Sequence, residues 1–147
     1  MSRDVSIRRA TSRDADALSG LSTALGYAAA TEVIEKRLSP ILASEFDLLI
    51  VATRPKNVVV GWLQAHASTI LESGFRTEIT GLIVSSEARR CGAGRALVAA
   101  AEQWSLELGA ETIVVRSNVQ RAESHLFYPA LGFASTKTQQ VYRKFLA

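Results

Sequence analysis

The chain has 147 residues, of which 48% are hydrophobic, and a formal net charge of +3. This length is sufficient for one domain with a hydrophobic core, and we expect a single domain over residues 1–147. One cysteine and two distant histidines exclude an internal disulfide and disfavour a metal site, and they favour a reducing, cytoplasmic setting. No apolar run approaches the roughly 20 residues of a membrane span, and the dispersed basic residues disfavour a nucleic-acid partner.

Hydrophobic periodicity predicts a strand and then a helix at the start of the chain. Residues 5–9 alternate as a half-buried strand does. Thr11 or Ser12 then offers an N-cap, with Asp14 as a capping-box partner for Thr11. The leucines that follow recur at helical spacing, and Gly26 is placed to end this first helix.

A second helix and three consecutive strands are predicted next. The helix begins near Glu32, and we expect Pro40 to end or kink it. Residues 47–53 form an apolar strand, and residues 58–67 and 76–84 are its successors, separated by turn-forming residues. Three strands joined by short turns predict an antiparallel meander, with a bulge or a close backbone approach at a glycine of the middle strand, Gly61.

The second half of the chain is predicted to form a strand, a helix and a second strand, followed by two shorter elements. A long helix with one apolar face runs from Gly92 to Gly109, and residues 112–116 form a buried strand after it. This strand should lie parallel to the one before the helix. A short helix over residues 121–131 and a terminal strand within residues 133–145 complete an α/β fold with a mixed sheet.

The turn that leads from the third meander strand into the long helix is basic and contains two glycines. Gly92 and Gly94 let the backbone approach a bulky anion, and the helix directs its unpaired N–H groups and positive dipole end to the same place. Arg89, Arg90 and Arg95 add positive charge. The turn predicts a phosphate-rich ligand, although glycine in such a turn also serves helix packing in many α/β proteins.

The pattern Arg89-x-x-Gly92-x-Gly94 resembles the acyl-CoA pyrophosphate loop of the GNAT superfamily of N-acetyltransferases, and it lacks the Gly-Lys-Ser/Thr ending of a P-loop. Three further segments agree with the family pattern: residues 82–84 before the loop, Asn118 after the next strand, and residues 125–133 with a Phe/Leu-Tyr-x-x-x-Gly-Phe signature. The specific resemblance covers about residues 76–145. The later motifs are most similar to the family's small-amine acetyltransferases, including the aminoglycoside and aminoalkylphosphonate types.

The resemblance implies a fold, a co-substrate and a set of binding residues. The fold would have a mixed, mostly antiparallel sheet of about six to seven strands and about four helices, splayed between strands 4 and 5. Acetyl-CoA would bind in that opening without a metal. The residues that the resemblance places at the cofactor are Leu82, Ile83, Val84, Arg89, Arg90, Cys91, Gly92, Ala93, Gly94, Arg95, Asn118 and Phe127.

Two residues are candidates for the chemistry of amine acetylation, which needs an uncharged amine and a proton for the departing thiolate. The resemblance places Tyr128 near the CoA sulfur as general acid, and Glu78 at a strand position where several family members carry a base. The period of two in a strand predicts that Glu78 shares one face with Leu82 and Val84. The alternatives are a core-edge aromatic role for Tyr128 and an ion pair between Glu78 and a base such as Arg76.

Five other side chains receive weaker interpretations. Cys91 is interpreted as a bystander thiol rather than a nucleophile, because its place in the phosphate loop would keep it far from the thioester. Trp62, Gln64 and Glu72 are candidates for the acceptor side. His66 is either a further candidate there or a residue that ends its strand.

The function that these observations predict is direct transfer of an acetyl group from acetyl-CoA to a primary amine of a small molecule. One alternative is acetylation of a protein or peptide amine, which would need a long, open acceptor groove. Another is a non-catalytic, acyl-CoA-binding regulatory module. A homodimer is consistent with the resemblance, because family members often pair through terminal strands.

Overall fold

A computed structural model of the chain describes residues 4–89, 91–116 and 122–147, with the backbone alone for residues 122–125. The chain divides into two compact units, Met1–Val115 and Arg116–Ala147. In the described ranges, no helix is both long enough and apolar enough to cross a membrane.

The first unit is built on a five-stranded sheet whose spatial order follows the chain. Its strands are β1 (Ser6–Arg9), β2 (Asp47–Arg54), β3 (Val58–Ile70), β4 (Gly74–Val84) and β5 (Thr112–Val115). Neighbours from β1 to β4 are antiparallel, whereas β4 and β5 are parallel because the helix α3 (Ala93–Leu108) crosses between them. The predicted meander and the parallel pair are confirmed, with a mixed sheet of five strands in the described residues rather than six or seven.

The first helix, α1 (Ala15–Ala24), begins as the sequence predicts. A 3₁₀ turn at Ser12–Asp14 precedes it, and Thr11 and Asp14 form a capping box there. In this capping box the backbone N–H of Thr11 donates to a carboxylate oxygen of Asp14 at 2.7 Å. Gly26 follows the helix with a φ of 90°, a left-handed conformation that suits glycine and terminates the helix.

The second helix, α2 (Thr31–Ala43), contains Pro40 and continues past it. The helix does not end at this proline, and a kink, the other expected outcome, stays a prediction. Proline removes one backbone donor, which would have bonded a carbonyl one turn earlier. Only three residues follow Pro40 before the helix ends, so the missing bond lies near its C-terminus.

The sheet is covered by helices on both faces. On one face, which we call the α1/α2 face, Leu18 and Leu38 from the two helices share a buried cluster with Leu49 and Val51 of β2, and Trp62 of β3 packs against it. On the opposite face, α3 is joined to β4 by a buried hydrogen bond of 2.6 Å between the hydroxyls of Thr77 and Ser105. We call this second face the α3 face.

The second unit contains a fourth helix and a C-terminal segment. Helix α4 (Ala122–Ala130) ends at Gly132, which has a φ of 95°. The described residues 133–147 contain no strand, so the predicted terminal strand is not observed. An alternating pattern forms a strand only where a neighbouring strand pairs with it. The segment instead exposes its apolar side chains: Val141, Tyr142, Phe145 and Leu146.

Candidate functional site

The turn between β4 and α3 is folded by its own backbone hydrogen bonds. After β4 ends at Val84, the N–H of Ser85 donates to the carbonyl oxygen of Val60 in β3 at 2.8 Å. A 3₁₀ turn at Ser86–Ala88 follows, and the N–H of Cys91 donates to the carbonyl oxygen of Ala88 at 3.3 Å. These bonds hold the start of the turn against the sheet. Arg90 lies outside the described residues.

The N-terminus of α3 is well suited to hold an anion. Gly92 is its N-cap, with a φ of 87°, and its carbonyl accepts the first helical hydrogen bond, from Ala96 at 2.9 Å. No side chain caps the helix in the described residues, and its first turn carries no acidic residue. The first N–H groups of a helix have no partner within it, so a phosphate oxygen can accept from them. Arg89 and Arg95 are exposed beside these groups in sequence and add positive charge.

Cys91 is a structural part of this turn. Its thiol is partly buried and donates to the carbonyl oxygen of Ala88 at 2.7 Å. This thiol therefore helps to fold the turn through a contact with its own backbone. The bystander interpretation of Cys91 stays a prediction that this contact supports.

Among the described residues, the pairing of the two parallel strands ends before β4 does. The ladder between β4 and β5 ends at Ile79 and Val115, and Arg116, the next described residue, lies outside it. β4 itself continues to Val84 and pairs with β3 on its other side. The last five residues of β4, 80–84, include Leu82, Ile83 and Val84, and an extended ligand placed along this edge would be held as an added strand is.

A β-bulge in β4 changes which residues share a face. The adjacent residues Gln64 and Ala65 of β3 lie opposite Gly81 and Ile79, so Thr80 is an extra residue without a partner of its own. The bulge reverses the alternation of the side chains along β4. Before Thr80 the even-numbered residues point to the α1/α2 face, whereas after it the odd-numbered residues do.

The position of Glu78 is consequently different from the one expected. Glu78 lies opposite His66, whereas Leu82 lies opposite Leu63. His66 and Leu63 are three residues apart in a regularly paired part of β3, so they point to opposite faces of the sheet. The prediction that Glu78 shares a face with Leu82 and Val84 is wrong. Glu78 lies on the α1/α2 face, one residue before the β4–β5 ladder ends.

Trp62 and Gly81 meet on this same face, next to the bulge. A Cβ at Gly81 would lie 2.6 Å from Cζ3 and 2.8 Å from Cη2 of the Trp62 ring, so only glycine leaves room for the indole. The indole Nε1 is buried and has no hydrogen-bond partner within the described part of the chain. Sequence reasoning placed Trp62 on the acceptor side, and the structure places it beside the point where β4 and β5 part.

A hydrogen-bonded pair continues the α1/α2 face toward β2. The Nδ1 atom of His66 lies 2.8 Å from a carboxylate oxygen of Asp47. Asp47 also lines a cavity of about 320 Å³ between β1, β2 and α2, together with Arg9, Thr11, Ile41, Leu42 and Leu49. Sequence reasoning named His66 but missed its partner Asp47. The signal lay in the hairpin of β2 and β3, whose pairing brings these two distant residues together.

Tyr128 belongs to the second unit and is held there by aromatic contacts. Its ring makes edge-to-face contacts with Phe127 and Phe133, with centroid separations of 5.0 Å and 5.7 Å. Its carbonyl accepts from Leu131 at 3.0 Å and from Phe133 at 3.1 Å, which closes the turn after α4. The side chain is half-buried. Asn118 lies outside the described residues.

Comparisons with known proteins agree with this arrangement. A profile described as acetyltransferase (GNAT) family matches residues 21–133. An aminoglycoside N(6')-acetyltransferase type 1 of Serratia marcescens is 25% identical over 135 residues, covering 89% of this chain and 92% of the relative.

Two solved structures show the same fold. The first, described as a transcriptional regulator from Bacillus halodurans C-125, is 26% identical, with a TM-score of 0.86 and coverage of 95% and 99% of this chain and that one. The second, the aminoglycoside N-acetyltransferase AAC(6')-Iy in complex with CoA, is 20% identical, with a TM-score of 0.84 and coverage of 95% and 94%. The family profile spans most of the chain, so the chain belongs to the GNAT family and is an N-acetyltransferase.

Proposed function

We propose that this protein transfers the acetyl group of acetyl-CoA directly to a primary amine of a small molecule. The observation that carries the proposal is the N-terminus of α3, which has no side-chain cap in the described residues. It follows a basic turn after β4, whose described pairing with β5 ends at Ile79. A CoA molecule has the two features that match: a pyrophosphate for the helix N-terminus and an extended pantetheine arm for the strand edge. The crystal structure of AAC(6')-Iy with CoA supports this choice of donor.

The binding residues follow from this placement. The pyrophosphate accepts from N–H groups between Arg90 and Arg95, and the pantetheine arm follows the backbone of residues 82–84 in β4. Asn118 and Phe127 complete the proposed set on the basis of the resemblance. The family profile extends over both compact units, which supports our proposal that residues 1–147 work as a single acetyltransferase domain.

The proposed acceptor is a small, cationic amine that binds on the α1/α2 face. Glu78 lies there beside the end of the β4–β5 ladder, and a carboxylate attracts an ammonium group. The Serratia marcescens relative is named for acetylating aminoglycosides, which are small amines, and this supports the same substrate class.

The proposed mechanism assigns a donor and an acceptor to each proton transfer of the reaction. Glu78 accepts a proton from the ammonium, and the resulting amine attacks the thioester carbonyl. The C–S bond breaks as the amide forms, and Tyr128 donates a proton to the departing thiolate and recovers one from the amide nitrogen through water. The net products are the N-acetyl amine, CoA and one proton released to solvent.

The test is CoA release from acetyl-CoA with a panel of primary amines: neamine, glucosamine 6-phosphate and a lysine-containing peptide. We expect turnover with a small amine. Tyr128→Phe and Glu78→Gln should each lower kcat by about 100-fold, the usual contribution of a general acid or base. The matched controls are Tyr142→Phe and Glu107→Gln, both at exposed positions, which should retain wild-type kcat.

The other outcomes decide between the alternatives. Turnover with the peptide alone would replace the small-molecule acceptor by a protein amine. Calorimetric binding of acetyl-CoA without CoA release from any amine would contradict catalysis and support a regulatory module. Unchanged kcat in Tyr128→Phe would remove this tyrosine from the mechanism.

A further inference from the structure

Three side chains with proton-transfer chemistry lie in one row across the α1/α2 face. Asp47 of β2 lies opposite His66 of β3, and His66 lies opposite Glu78 of β4. Residues directly opposite on antiparallel strands have Cβ atoms about 5 Å apart. The row therefore spans three neighbouring strands and ends at Glu78, beside the point where β4 and β5 separate.

Asp47 fixes the orientation and the tautomer of the imidazole in this row. Its carboxylate oxygen lies 2.8 Å from Nδ1 of His66 and accepts the Nδ1–H hydrogen bond. In a neutral imidazole, a proton on Nδ1 leaves Nε2 as the acceptor.

The surroundings of His66 suit a proton that must leave the protein. Its side chain is 49% exposed, whereas that of Asp47 is 20% exposed, so the imidazole reaches solvent while its partner is largely covered. The charged neighbours of His66 on its face are Asp47 from β2 and, from β4, Glu78 and Arg76. The helices on this face bring apolar residues to its cluster, Leu18 from α1 and Ile34 and Ile41 from α2.

The acetylation of an ammonium releases one proton overall. At neutral pH a carboxylate is a weak acceptor for that proton, and an imidazole is a stronger one. Carboxylic acids ordinarily have pKa values near 4, whereas an imidazole ordinarily has a pKa near 6.5. A carboxylate that passes its proton to an imidazole is ionised again for the next substrate. The row provides that next acceptor directly opposite Glu78.

We propose that His66, oriented by Asp47, receives the proton that Glu78 takes from the acceptor ammonium and releases it to solvent. One N–H bond of the ammonium breaks, the proton moves to the Glu78 carboxylate and then to Nε2 of His66, and no electrons are exchanged. His66 is a positioning and proton-accepting residue that acts through Glu78. This inference rests on the proposed function, because it assigns the fate of a proton in that reaction.

The experiment compares His66→Ala, His66→Gln and Asp47→Asn with the wild type, using the amine that the panel identifies. We expect the two His66 variants to lower kcat at pH 7 by at least about 10-fold, a smaller effect than the roughly 100-fold or more of a direct acid or base, because His66 acts through Glu78. Free imidazole should restore part of the activity of His66→Ala, measured against a blank without enzyme. Ser68→Ala is the matched control, because Ser68 is the next residue of β3 on the same face, and it should keep wild-type kcat.

The pH profile provides a readout that a merely structural role would not change. Activity that requires a neutral imidazole rises with pH through the pKa of that group, so the acid limb of kcat/KM reports it. Asp47→Asn removes the carboxylate that orients the imidazole, and we expect it to lower kcat in the same direction as His66→Gln but by a smaller factor. His66→Gln should remove the acid limb of the kcat/KM profile. If His66→Ala does not fold, His66→Gln takes its place in the comparison.

Two results would overturn the inference. One is a kcat within about twofold of wild type in the His66 variants. The other is a lower kcat that imidazole does not restore and whose pH profile matches the wild type. A wild-type protein that turns over no amine would instead contradict the proposed function, so the two failures are distinguishable.

Discussion

Asp14 connects three separate parts of the first unit through its carboxylate. Both of its oxygens accept from the Arg8 guanidinium at 2.9 Å, and one also accepts from the N–H of Thr11 at 2.7 Å. The same guanidinium donates to the side-chain oxygen of Asn57 in the β2–β3 turn. The Arg8 hydrogen bonds lower the pKa of Asp14 more than burial raises it, and the same pair raises the pKa of Arg8.

Asp14→Asn should destabilise the protein in a pH-dependent way. We expect the free energy of unfolding at pH 7 to fall by about 1–2 kcal/mol, because a neutral amide accepts weaker hydrogen bonds from Arg8. A carboxylate with a lowered folded pKa stabilises the fold above its ordinary pKa near 3.8 and loses that effect as the pH falls through the folded value. The difference in the free energy of unfolding between the wild type and Asp14→Asn should therefore decrease as the pH falls below about 4.

Urea unfolding at several pH values measures this difference. Asp16→Asn is the matched control, because Asp16 accepts an exposed hydrogen bond from Thr31 at 3.1 Å and should contribute about 0.5 kcal/mol or less. A stability gap for Asp14→Asn that stays constant from pH 7 to pH 3 would show that the charge of Asp14 is not the cause.

At the level of elements, the bulge in β4 determines what surrounds the candidate site. Thr80 is the extra residue, and its hydroxyl donates to the carbonyl oxygen of Gln64 at 3.4 Å. Gly81 follows and leaves the space that the Trp62 ring occupies. The bulge thus moves Glu78 to the α1/α2 face while residues 82–84 continue along the separated edge.

Gly81→Ala tests this packing. The added methyl group would overlap the rigid Trp62 ring, and we expect a loss of about 1–3 kcal/mol in the free energy of unfolding. Trp62→Phe removes the overlapping part of the indole and sacrifices no hydrogen bond to the described residues. In the double variant, the cost of Gly81→Ala should be at least about 1 kcal/mol smaller than in the wild-type background.

A thermodynamic cycle from denaturant unfolding of the four proteins checks this coupling. Gly20→Ala is the control, since a Cβ there meets nothing within 4 Å in the interior of α1 and should stabilise the protein slightly. Additive effects of Gly81→Ala and Trp62→Phe would contradict the contact.

The order of elements was predictable because it depends on local patterns. The alternation in β1, the apolar run of β2, the apolar face of α3 and the capping box at Thr11 all act within a few residues. The bulge was not predicted, although Gly81 in the interior of a strand is its usual signal. The Asp47–His66 pair depends on the register of a hairpin, and the predicted terminal strand depends on a partner, which periodicity alone does not provide.

The candidate site was predictable to a similar extent. The glycine and arginine spacing from Arg89 to Gly94 identified the loop, because a phosphate site requires backbone freedom and a helix N-terminus in fixed order. The face of Glu78 was predicted incorrectly, because one extra residue in β4 reverses the alternation. Roles for Glu78 and Tyr128 remain predictions that the proposed kinetic experiment tests.

For the molecule as a whole, the net charge of +3 and the basic turn before α3 are consistent with a polyanionic co-substrate. A ligand that binds only the folded protein adds to its stability in proportion to the logarithm of its concentration. At 100 times its Kd, acetyl-CoA should add about 2.7 kcal/mol, which for a protein of this size raises Tm by roughly 5–10 °C. Thermal unfolding can therefore report cofactor binding without any knowledge of the acceptor.

Gly92→Val should abolish this ligand-dependent rise in Tm. Gly92 has a φ of 87°, which a β-branched residue adopts only under strain, and the helix N-terminus would lose its anion-binding geometry. Gly109→Val is the matched control, because Gly109 caps the other end of α3 with a φ of 83° and space for a Cβ. Both variants should unfold at a lower temperature without ligand, and only Gly109→Val should keep the shift with acetyl-CoA. A full shift in Gly92→Val would contradict the assignment of the turn before α3 to the pyrophosphate.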